Sequence, residues 1–351
     1  MTQPLPEWPI FGLGDDARPA LAAARAAGTP VALATITALD GGGPRPVGTQ
    51  MVIGEGVLSG FLSGGCLESD VAGHAAACLA DGEPRRLVYG TGSPWPDIRL
   101  LCGARIEVLV EAIAPEDAAV GALLQLTAAR RPARWITDGR KRVCIEDDGE
   151  AAERAEGFSR LYEPVMKLVV LGGDPTALAI AQLGAQAGCE TTLVRPKGPA
   201  EPPPLVGVAY SREEPVGALT RIGLDPWTAV AVATHEAEAD HAALTFALPS
   251  AAFYVGALGA RRRAPERLAW LHGAGVAEVA IARLRTPIGL DIGGKAPWEV
   301  AVSVIGEIIA ARYSRGRATA STTSPAATAG APTGRRTRAS ELAKTPTSAE
   351  S

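Results

Sequence analysis

The first half of the chain mixes short apolar strands and amphipathic helical segments in no regular order. Leu21 among alanines predicts a helix over 15–28, and the apolar run after it predicts a buried strand over 31–36. The turn at Gly54 to Gly56 predicts a hairpin. Because βαβ alternation is missing, we predict an α+β domain. Its other elements are strands over 51–53, 57–62, 86–89, 106–110, 135–137 and 143–145, with helices over 66–80 and 116–129.

The pattern changes near residue 165. A nearly all-apolar strand over 167–171 is followed by two glycines, an alanine-rich helix to about Ala187, and a strand over 191–194. That order is a βαβ unit, which implies a parallel sheet. We therefore predict a doubly wound, Rossmann-like domain, so that the chain is α/β overall. Further strands are predicted over 206–210, 228–233, 253–256 and 276–281, with helices over 240–247, 264–273 and 298–312.

The end of the chain has a different composition. From Ser314 it consists mainly of Ser, Thr, Ala, Pro, Gly and Arg. Such a segment lacks the apolar residues that offset the entropy of ordering, which predicts a disordered tail. The predicted organisation is an α+β domain over 10–160, a Rossmann-like domain over 165–313 and a tail over 314–351.

Charge and cysteine usage narrow the classes of function. The formal net charge is −4, which argues against a general nucleic-acid or membrane-surface binder. No apolar run has the length that spans a bilayer, and the start has no export signal. The chain has five cysteines without the paired spacing of zinc ligands, and this odd number favours reduced thiols. We expect a cytoplasmic protein.

A glycine pair directly before a cysteine and a helix is the first candidate for chemistry. Gly64 and Gly65 let the backbone approach a bound group, and Cys66 would touch whatever they admit. A helix N-terminus favours the thiolate, whereas Glu68 and Asp70 in the first turn oppose it. The alternative interpretation is a small buried cysteine beside a tight turn.

Two further segments extend this candidate. Arg45 lies in a loop rich in glycine and proline, where a guanidinium suits a phosphate or carboxylate, although a solvated loop arginine has the same pattern. Cys102 before Gly103 supplies a second, weaker thiol. Thiolates are soft donors that suit molybdenum or transferable sulfur, so the set favours an anionic, thiophilic ligand. His74 is interpreted as an ordinary surface or core residue.

The turn after the strand over 167–171 resembles a dinucleotide fingerprint only in part. Gly172 and Ala177 fit, and Gly173 adds to the cradle, but Asp174 stands at the second glycine. Its carboxylate would crowd and repel a pyrophosphate. Arg195 ends the next strand, where an acid usually binds the ribose, and could take a 2′-phosphate or another anion. The sequence predicts the fold but disfavours ordinary NAD binding.

Polar clusters end the later predicted strands, at the edge where ligands of open α/β sheets bind. His235 could transfer a proton, and Asp291 could hold a ribose or an ammonium group. Gly259 with Arg261 and Arg262 suggests an anion cradle. Ordinary turn, cap or surface roles remain the alternative for each of these residues.

Taken together, the motifs resemble the xanthine dehydrogenase accessory factor family, XdhC/CoxI, from about residue 10 to about residue 313. The resemblance implies two domains that bind the molybdenum cofactor, support its sulfuration with a cysteine desulfurase and pass it to a molybdenum hydroxylase. The segments that carry it are Pro44-Arg45-Pro46-x-Gly48, Gly60-x-x-Ser63-Gly64-Gly65-Cys66-x-Glu68, Cys102-Gly103, Thr234-His235, Tyr254 to Gly259 with Arg261-Arg262, and Pro287 to Gly293 with Lys295.

Three positions depart from that family. Gly172-Gly173-Asp174-Pro175 stands where Gly-x-Gly-His is common, Arg195 replaces an acid, and Ala104 follows Cys102-Gly103 in place of glycine. These departures affect nucleotide binding more than cofactor handling.

We predict an accessory protein that holds molybdopterin or its dinucleotide form, rather than a stand-alone enzyme. Cys66 is the candidate for a molybdenum contact or a persulfide. The rivals are an NAD(P)-dependent oxidoreductase and a non-catalytic scaffold between desulfurase and client; a homo-oligomer is also allowed, and no nucleic acid or membrane is expected as a partner. The residues predicted to bind the cofactor are Arg45, Gly64, Gly65, Cys66, Gly172, Gly173, His235, Gly259, Arg261, Arg262 and Asp291.

Overall fold

The computed structural model of the protein describes residues 5–43, 45–63, 65, 67–91, 93, 105–153 and 156–320, the last six as backbone only. Within these ranges no helix combines the length and apolar character needed to cross a membrane.

The first domain is built on a five-stranded antiparallel sheet with the order β3-β2-β1-β5-β4. Three helices and a second, three-stranded antiparallel sheet of order β7-β6-β8 pack around it. The large sheet comprises β1 (Val31–Asp40), β2 (Gln50–Gly54), β3 (Val57–Gly60), β4 (Arg85–Gly90) and β5 (Arg105–Ile113). The helices are α1 (Arg18–Ala27), α2 (Glu68–Asp81) and α3 (Ala118–Ala128), and the small sheet is β6 (Ala133–Thr137), β7 (Arg142–Glu146) and β8 (Phe158–Tyr162).

Both faces of the large sheet are covered, which explains why the first six residues of its central strand are all buried. Ala34 and Ile36 of β1 pack with Val71 of α2 on one face. Leu33, one position out of phase, packs with Trp135 and the other helices on the opposite face. The alternation therefore serves two cores, and the predicted buried strand and α+β class are confirmed.

The second domain contains a six-stranded parallel sheet with the order β11-β10-β9-β12-β13-β14. The chain reverses its direction of winding between β9 and β12, and such a switch point creates a crevice at the carboxyl ends of the strands. The strands are β9 (Lys167–Gly172), β10 (Glu190–Val194), β11 (Val208–Ser211), β12 (Thr228–Ala233), β13 (Tyr254–Ala257) and β14 (Leu284–Arg285). The helices are α4 (Pro175–Gln186), α5 (Pro215–Ile222), α6 (Ala237–Ala247), α7 (Ala264–Gly273), α8 (Glu278–Ile281) and α9 (Pro297–Ala320).

Helices cover both faces of this sheet. Leu168 and Val170 of β9 share one core with α4 and α9, and Val169 and Leu171 share the other with α5 to α8. This is the doubly wound arrangement predicted from the βαβ pattern, and the Rossmann-like fold is confirmed.

The predicted elements differ from the observed ones in a few places. The strand predicted over 276–281 is wrong, since α8 occupies Glu278–Ile281 and the sheet ends with β14. A short apolar run does not distinguish strand from helix by periodicity alone. The prediction also omitted β8 and α5. The last helix continues to Ala320, past Ser314, where the predicted tail begins.

Arg130 connects the two domains. It follows α3 with a φ of 53°. Its Nε lies 2.5 Å from an Asp225 carboxylate oxygen, its Nη1 lies 3.0 Å from Glu190, and its Nη2 donates to the Val165 carbonyl. A further ion pair, between Arg312 and Glu163, also lies at the junction. These contacts hold the small sheet's end of the first domain against the parallel sheet.

Candidate functional site

A buried carboxylate binds residues on either side of the glycine pair of the first domain. Glu68 opens α2 with only 1% of its surface exposed. Its Oε1 accepts the backbone N–H groups of Leu62 and Ser63 at 3.0 and 2.7 Å. Its Oε2 accepts the Ser63 hydroxyl and the Leu67 N–H at 2.9 and 3.2 Å. The two sides of the turn are therefore fastened to one side chain.

Gly64, Cys66 and Cys102 lie outside the described residues. Gly65 is exposed with a φ of 97°, and a Cβ added there would meet no described residue within 4 Å. The space beside Gly65 would accommodate the predicted close approach of a bound group. This observation concerns Gly65 and not the other predicted residues.

Arg45 is engaged with another part of the first domain. Its guanidinium forms an ion pair with Asp15, and its side chain is 30% exposed. The Nε atom is buried and has no partner among the described residues. An anion that binds Arg45 would therefore have to share the guanidinium with Asp15 or replace it.

The glycine turn of the second domain has a strict backbone requirement. Gly172 has a φ of 154°, and a Cβ there would lie 2.4 Å from the Ala233 carbonyl oxygen at the end of β12. A Cβ on Gly173 would lie 2.3 Å from the Cδ and Nε atoms of Arg195. The stem of Arg195 thus covers the turn, where a fingerprint loop would leave room for a pyrophosphate.

Asp174 occupies the helix N-terminus that a pyrophosphate would use. Its Oδ1 accepts the Ala177 N–H at 2.8 Å and caps α4. Its Oδ2 lies 3.0 Å from Nε2 of His235, which follows β12. The carboxylate therefore takes the place of an external anion and fixes the orientation of the imidazole.

A cavity of about 320 Å³ lies over this turn, between the carboxyl ends of β9, β10 and β12. It brings together three predicted site residues, Gly172, Gly173 and His235. Arg195 also lines it, and its guanidinium has no hydrogen bond or ion pair in the part of the chain that the structure describes. Lys197 lines the same cavity but pairs with Glu236 at 3.1 Å.

A second cavity of about 610 Å³ lies at the ends of β12 and β13. His235 lines both cavities, and Gly259 and Arg262 line the second. Arg261 and Asp291, predicted for the same cradle, instead bond to each other at 2.6 Å, and both are largely exposed. Within the described ranges, no hydrogen bond or ion pair joins the residues of these cavities to Arg45 or Gly65.

Sequence reasoning missed the residues that organise the first turn and the loop of Gly259. It took Glu68 as an obstacle to thiolate formation, whereas the structure makes it the acceptor of the turn's N–H groups. It also passed over Arg267, which lies under the loop of Gly259 and pairs with buried Asp240. An acid in the first turn of a helix after two glycines is a pattern that could have indicated the first of these.

The described cysteines are unsuited to the predicted thiol chemistry. Cys78, Cys144 and Cys189 are all free and buried. Burial raises the pKa of Cys144 to about 12 and that of Cys189 to about 11, and it also raises the pKa of Cys78. Protonated thiols are poor nucleophiles and metal ligands, so these three are core residues. No cluster of three His, Cys, Asp or Glu side chains able to hold a metal occurs among the described residues.

Comparison with known proteins agrees with this architecture. The model of the XdhC Rossmann domain matches residues 168–308, and that of the XdhC and CoxI family matches residues 24–90. The molybdenum cofactor insertion chaperone PaoD of Escherichia coli is 30% identical over 80% of this chain and 83% of its own length. A Bacillus subtilis protein described as a probable subunit of xanthine dehydrogenase is 25% identical, over 80% of this chain and 92% of its own.

A crystal structure described as a xanthine dehydrogenase from Bacillus halodurans has the same fold. It superposes with a TM-score of 0.72 at 23% identity and covers 88% of this chain and 98% of its own. The family matches fall on both domains, and the relative with 30% identity spans most of the chain. This protein is therefore a member of the XdhC and CoxI family.

Proposed function

We propose that this protein binds the molybdenum cofactor, as molybdopterin or its dinucleotide form, and delivers it to a molybdenum hydroxylase such as xanthine dehydrogenase. The observation that supports this most is the pair of cavities at the carboxyl edge of the parallel sheet. Both are lined by guanidinium groups that have no partner among the described residues. The same edge belongs to a chain that is 30% identical to a protein named as a molybdenum cofactor insertion chaperone.

The residues present suit an anionic cargo. Molybdopterin carries a phosphate, and Arg195 and Arg262 line the two cavities with guanidinium groups that no described residue engages. His235 lies between them and offers a ring nitrogen beyond the one directed at Asp174. Arg45 and Arg261 would contribute only if the cargo displaced Asp15 and Asp291.

For the first domain we propose support of sulfuration. Cys66 would face molybdenum or the sulfur supplied by a cysteine desulfurase, with Cys102 as a second candidate. The bonds of Glu68 to Ser63 and Leu67, on the two sides of the turn, would limit its movement around a bound group. The free thiols of the described residues suit a reducing compartment, so we propose the cytoplasm as the place of action.

Cofactor binding is tested by purifying the full chain without oxygen and assaying it for pterin and molybdenum. We expect about one cofactor per chain, and we expect the loaded protein to activate a cofactor-free molybdenum hydroxylase. A chain that neither retains nor takes up the cofactor would contradict the proposal. Tight binding to a desulfurase and a hydroxylase without any small molecule would instead favour the scaffold.

The role of Cys66 is tested by Cys66→Ser, with Cys144→Ser as the matched control because that thiol lies in the core. We expect Cys66→Ser to fold and to lose sulfuration of the cofactor, while the control keeps it. Normal activation of the client by Cys66→Ser would remove the thiol from the mechanism and leave cofactor binding to be judged by the assay above.

A further inference from the structure

The second cavity contains an aromatic wall that the proposed function does not explain. The rings of His241 on α6 and Trp270 on α7 stack with centroids 3.6 Å apart and planes 10° apart, and both line the cavity. Burial is the main cause that lowers the pKa of His241 below its usual value, so the imidazole is neutral at pH 7. A neutral pair of stacked rings is a surface on which a planar heterocycle packs well.

The floor of the cavity is formed by Arg267 and Asp240, whose opposite charges neutralise each other. Arg267 donates to the Leu258 carbonyl and to the Thr286 hydroxyl, both at 3.0 Å. It also pairs with Asp240, which is 8% exposed and accepts the hydroxyl of Thr234. The charge of Arg267 is therefore balanced within the protein, and its role is to position the loop of Gly259 against α6.

The charged side chains that are not paired in this way lie at the rim of the cavity. Arg262 and Arg263 are exposed and line the cavity, and neither guanidinium makes a hydrogen bond or ion pair to a described residue. Arg261, their neighbour, is paired with Asp291. Glu266 also lines the cavity, so the rim has two guanidinium groups that no described residue engages and one carboxylate. Two guanidinium groups on one loop suit the oxygens of a phosphate.

We propose that this cavity binds a phosphate ester attached to a planar heterocycle, with the phosphate on Arg262 and Arg263 and the ring against the stacked pair of His241 and Trp270. As a site for cargo the inference rests on the proposed function, since molybdopterin and the nucleotide end of its dinucleotide form both have this chemistry. A free nucleotide has it too, and the experiment distinguishes the sources.

The test uses the full chain and isothermal titration with nucleoside 5′-monophosphates and with inorganic phosphate. We expect at least one monophosphate to bind more tightly than phosphate. The double variant Arg262→Ser, Arg263→Ser should weaken both ligands by at least about tenfold. Trp270→Ala should weaken the nucleotide about tenfold and leave phosphate unchanged. Arg140→Ser is the charge-matched control, since Arg140 lies on the first domain and pairs with Glu83.

Competition with isolated molybdenum cofactor identifies the source. If the monophosphate and the cofactor exclude each other, the cavity holds part of the cargo. If both bind together, the cavity takes a free nucleotide, and the inference stands whatever becomes of the proposed function. The inference is overturned if no monophosphate binds, or if the arginine pair and Trp270 can be replaced without effect while the control variant behaves in the same way.

Discussion

The two glycine turns of this protein are both closed by an acidic side chain, but the two acids make different contacts. Each turn precedes a helix, α2 in the first domain and α4 in the second, and each is closed by an acidic side chain of the chain itself. Glu68 bonds back to the turn that precedes it and is buried. Asp174 caps its own helix with one oxygen and reaches His235, in an open cavity, with the other.

The two acids therefore differ in whether a bound ligand could change their hydrogen bonds. The four donors to Glu68 all come from Leu62, Ser63 and Leu67, close to it in the chain. The second oxygen of Asp174 is tied to a side chain that is 73% exposed, and a ligand could take that partner away. The carboxylate of Glu68 is therefore fully engaged by its own segment, whereas that of Asp174 has a partner that a ligand could replace.

The largest expected effect is that of Glu68→Gln. The amide would present N–H groups to the Leu67 N–H and Ser63 hydroxyl, where the carboxylate accepts. Since hydrogen bonds to charged groups contribute about 1.5–3 kcal/mol each, we expect a loss of about 3 kcal/mol in the free energy of unfolding. Urea unfolding followed by tryptophan fluorescence measures it.

Glu55→Gln is the matched control for Glu68→Gln. Glu55 is an exposed acid of the same domain, in the turn between β2 and β3, and we expect its substitution to change stability by less than about 0.5 kcal/mol. Equal unfolding midpoints for the two variants would show that the buried carboxylate does not hold the turn.

The next largest effect compares one glycine from each turn. In Gly172→Ala the new Cβ would lie 2.4 Å from a backbone oxygen, at a backbone conformation that side chains avoid. We expect it to lower the free energy of unfolding by about 2–3 kcal/mol. Gly65→Ala has only the positive φ against it, so we expect about 1 kcal/mol. Thermal unfolding of both variants checks the order, and a reversed order would contradict the backbone argument.

The sequence predicted these turns better than it predicted their closure. The apolar strand, the two glycines and the alanine-rich helix were enough for the parallel sheet, because period and breakers are local signals. The partners of Glu68 and Arg267 depend on which atoms the folded chain brings together, and spacing does not contain that information. The strand predicted over 276–281 was wrong for a different reason. A short apolar run suits either a strand or a helix, and packing decides between them.

Glu111 is a further buried acid of the first domain. Unlike Glu68, it has a carboxylate oxygen without a hydrogen-bond donor among the described residues. It accepts the Thr137 hydroxyl and lies 3.4 Å from Nε of Arg142, but its Oε2 has no partner among the described residues. Burial is the main cause that raises the pKa of Glu111 above its ordinary value of 4.5. The protonated form is therefore favoured by folding.

The sign of the pH effect follows from that shift. A raised pKa contributes stability below the unfolded value of 4.5, and this stability is lost as the pH rises through the folded value. Relative to wild type, Glu111→Gln should therefore become more stable as the pH rises above 4.5, because the wild type alone loses stability there. Urea unfolding at a series of pH values measures the difference. The exposed Glu116→Gln is the control, and parallel curves for wild type and Glu111→Gln would contradict the argument.

The smallest effect on stability, and the sharpest on function, is expected from Asp174→Gly. Glycine at a helix N-cap lowers stability by only a few tenths of a kcal/mol relative to aspartate, so the protein should fold. The change restores Gly-x-Gly in the turn and frees both His235 and the helix N-terminus. If Asp174 is what excludes a dinucleotide, this variant should gain NADH binding, seen as nicotinamide fluorescence, while wild type shows none. Asp174→Asn keeps the cap without the charge and should fall between them. Wild-type binding as tight as that of the glycine variant would mean that the carboxylate is no barrier, and the second turn would then be a nucleotide site in spite of its own acid.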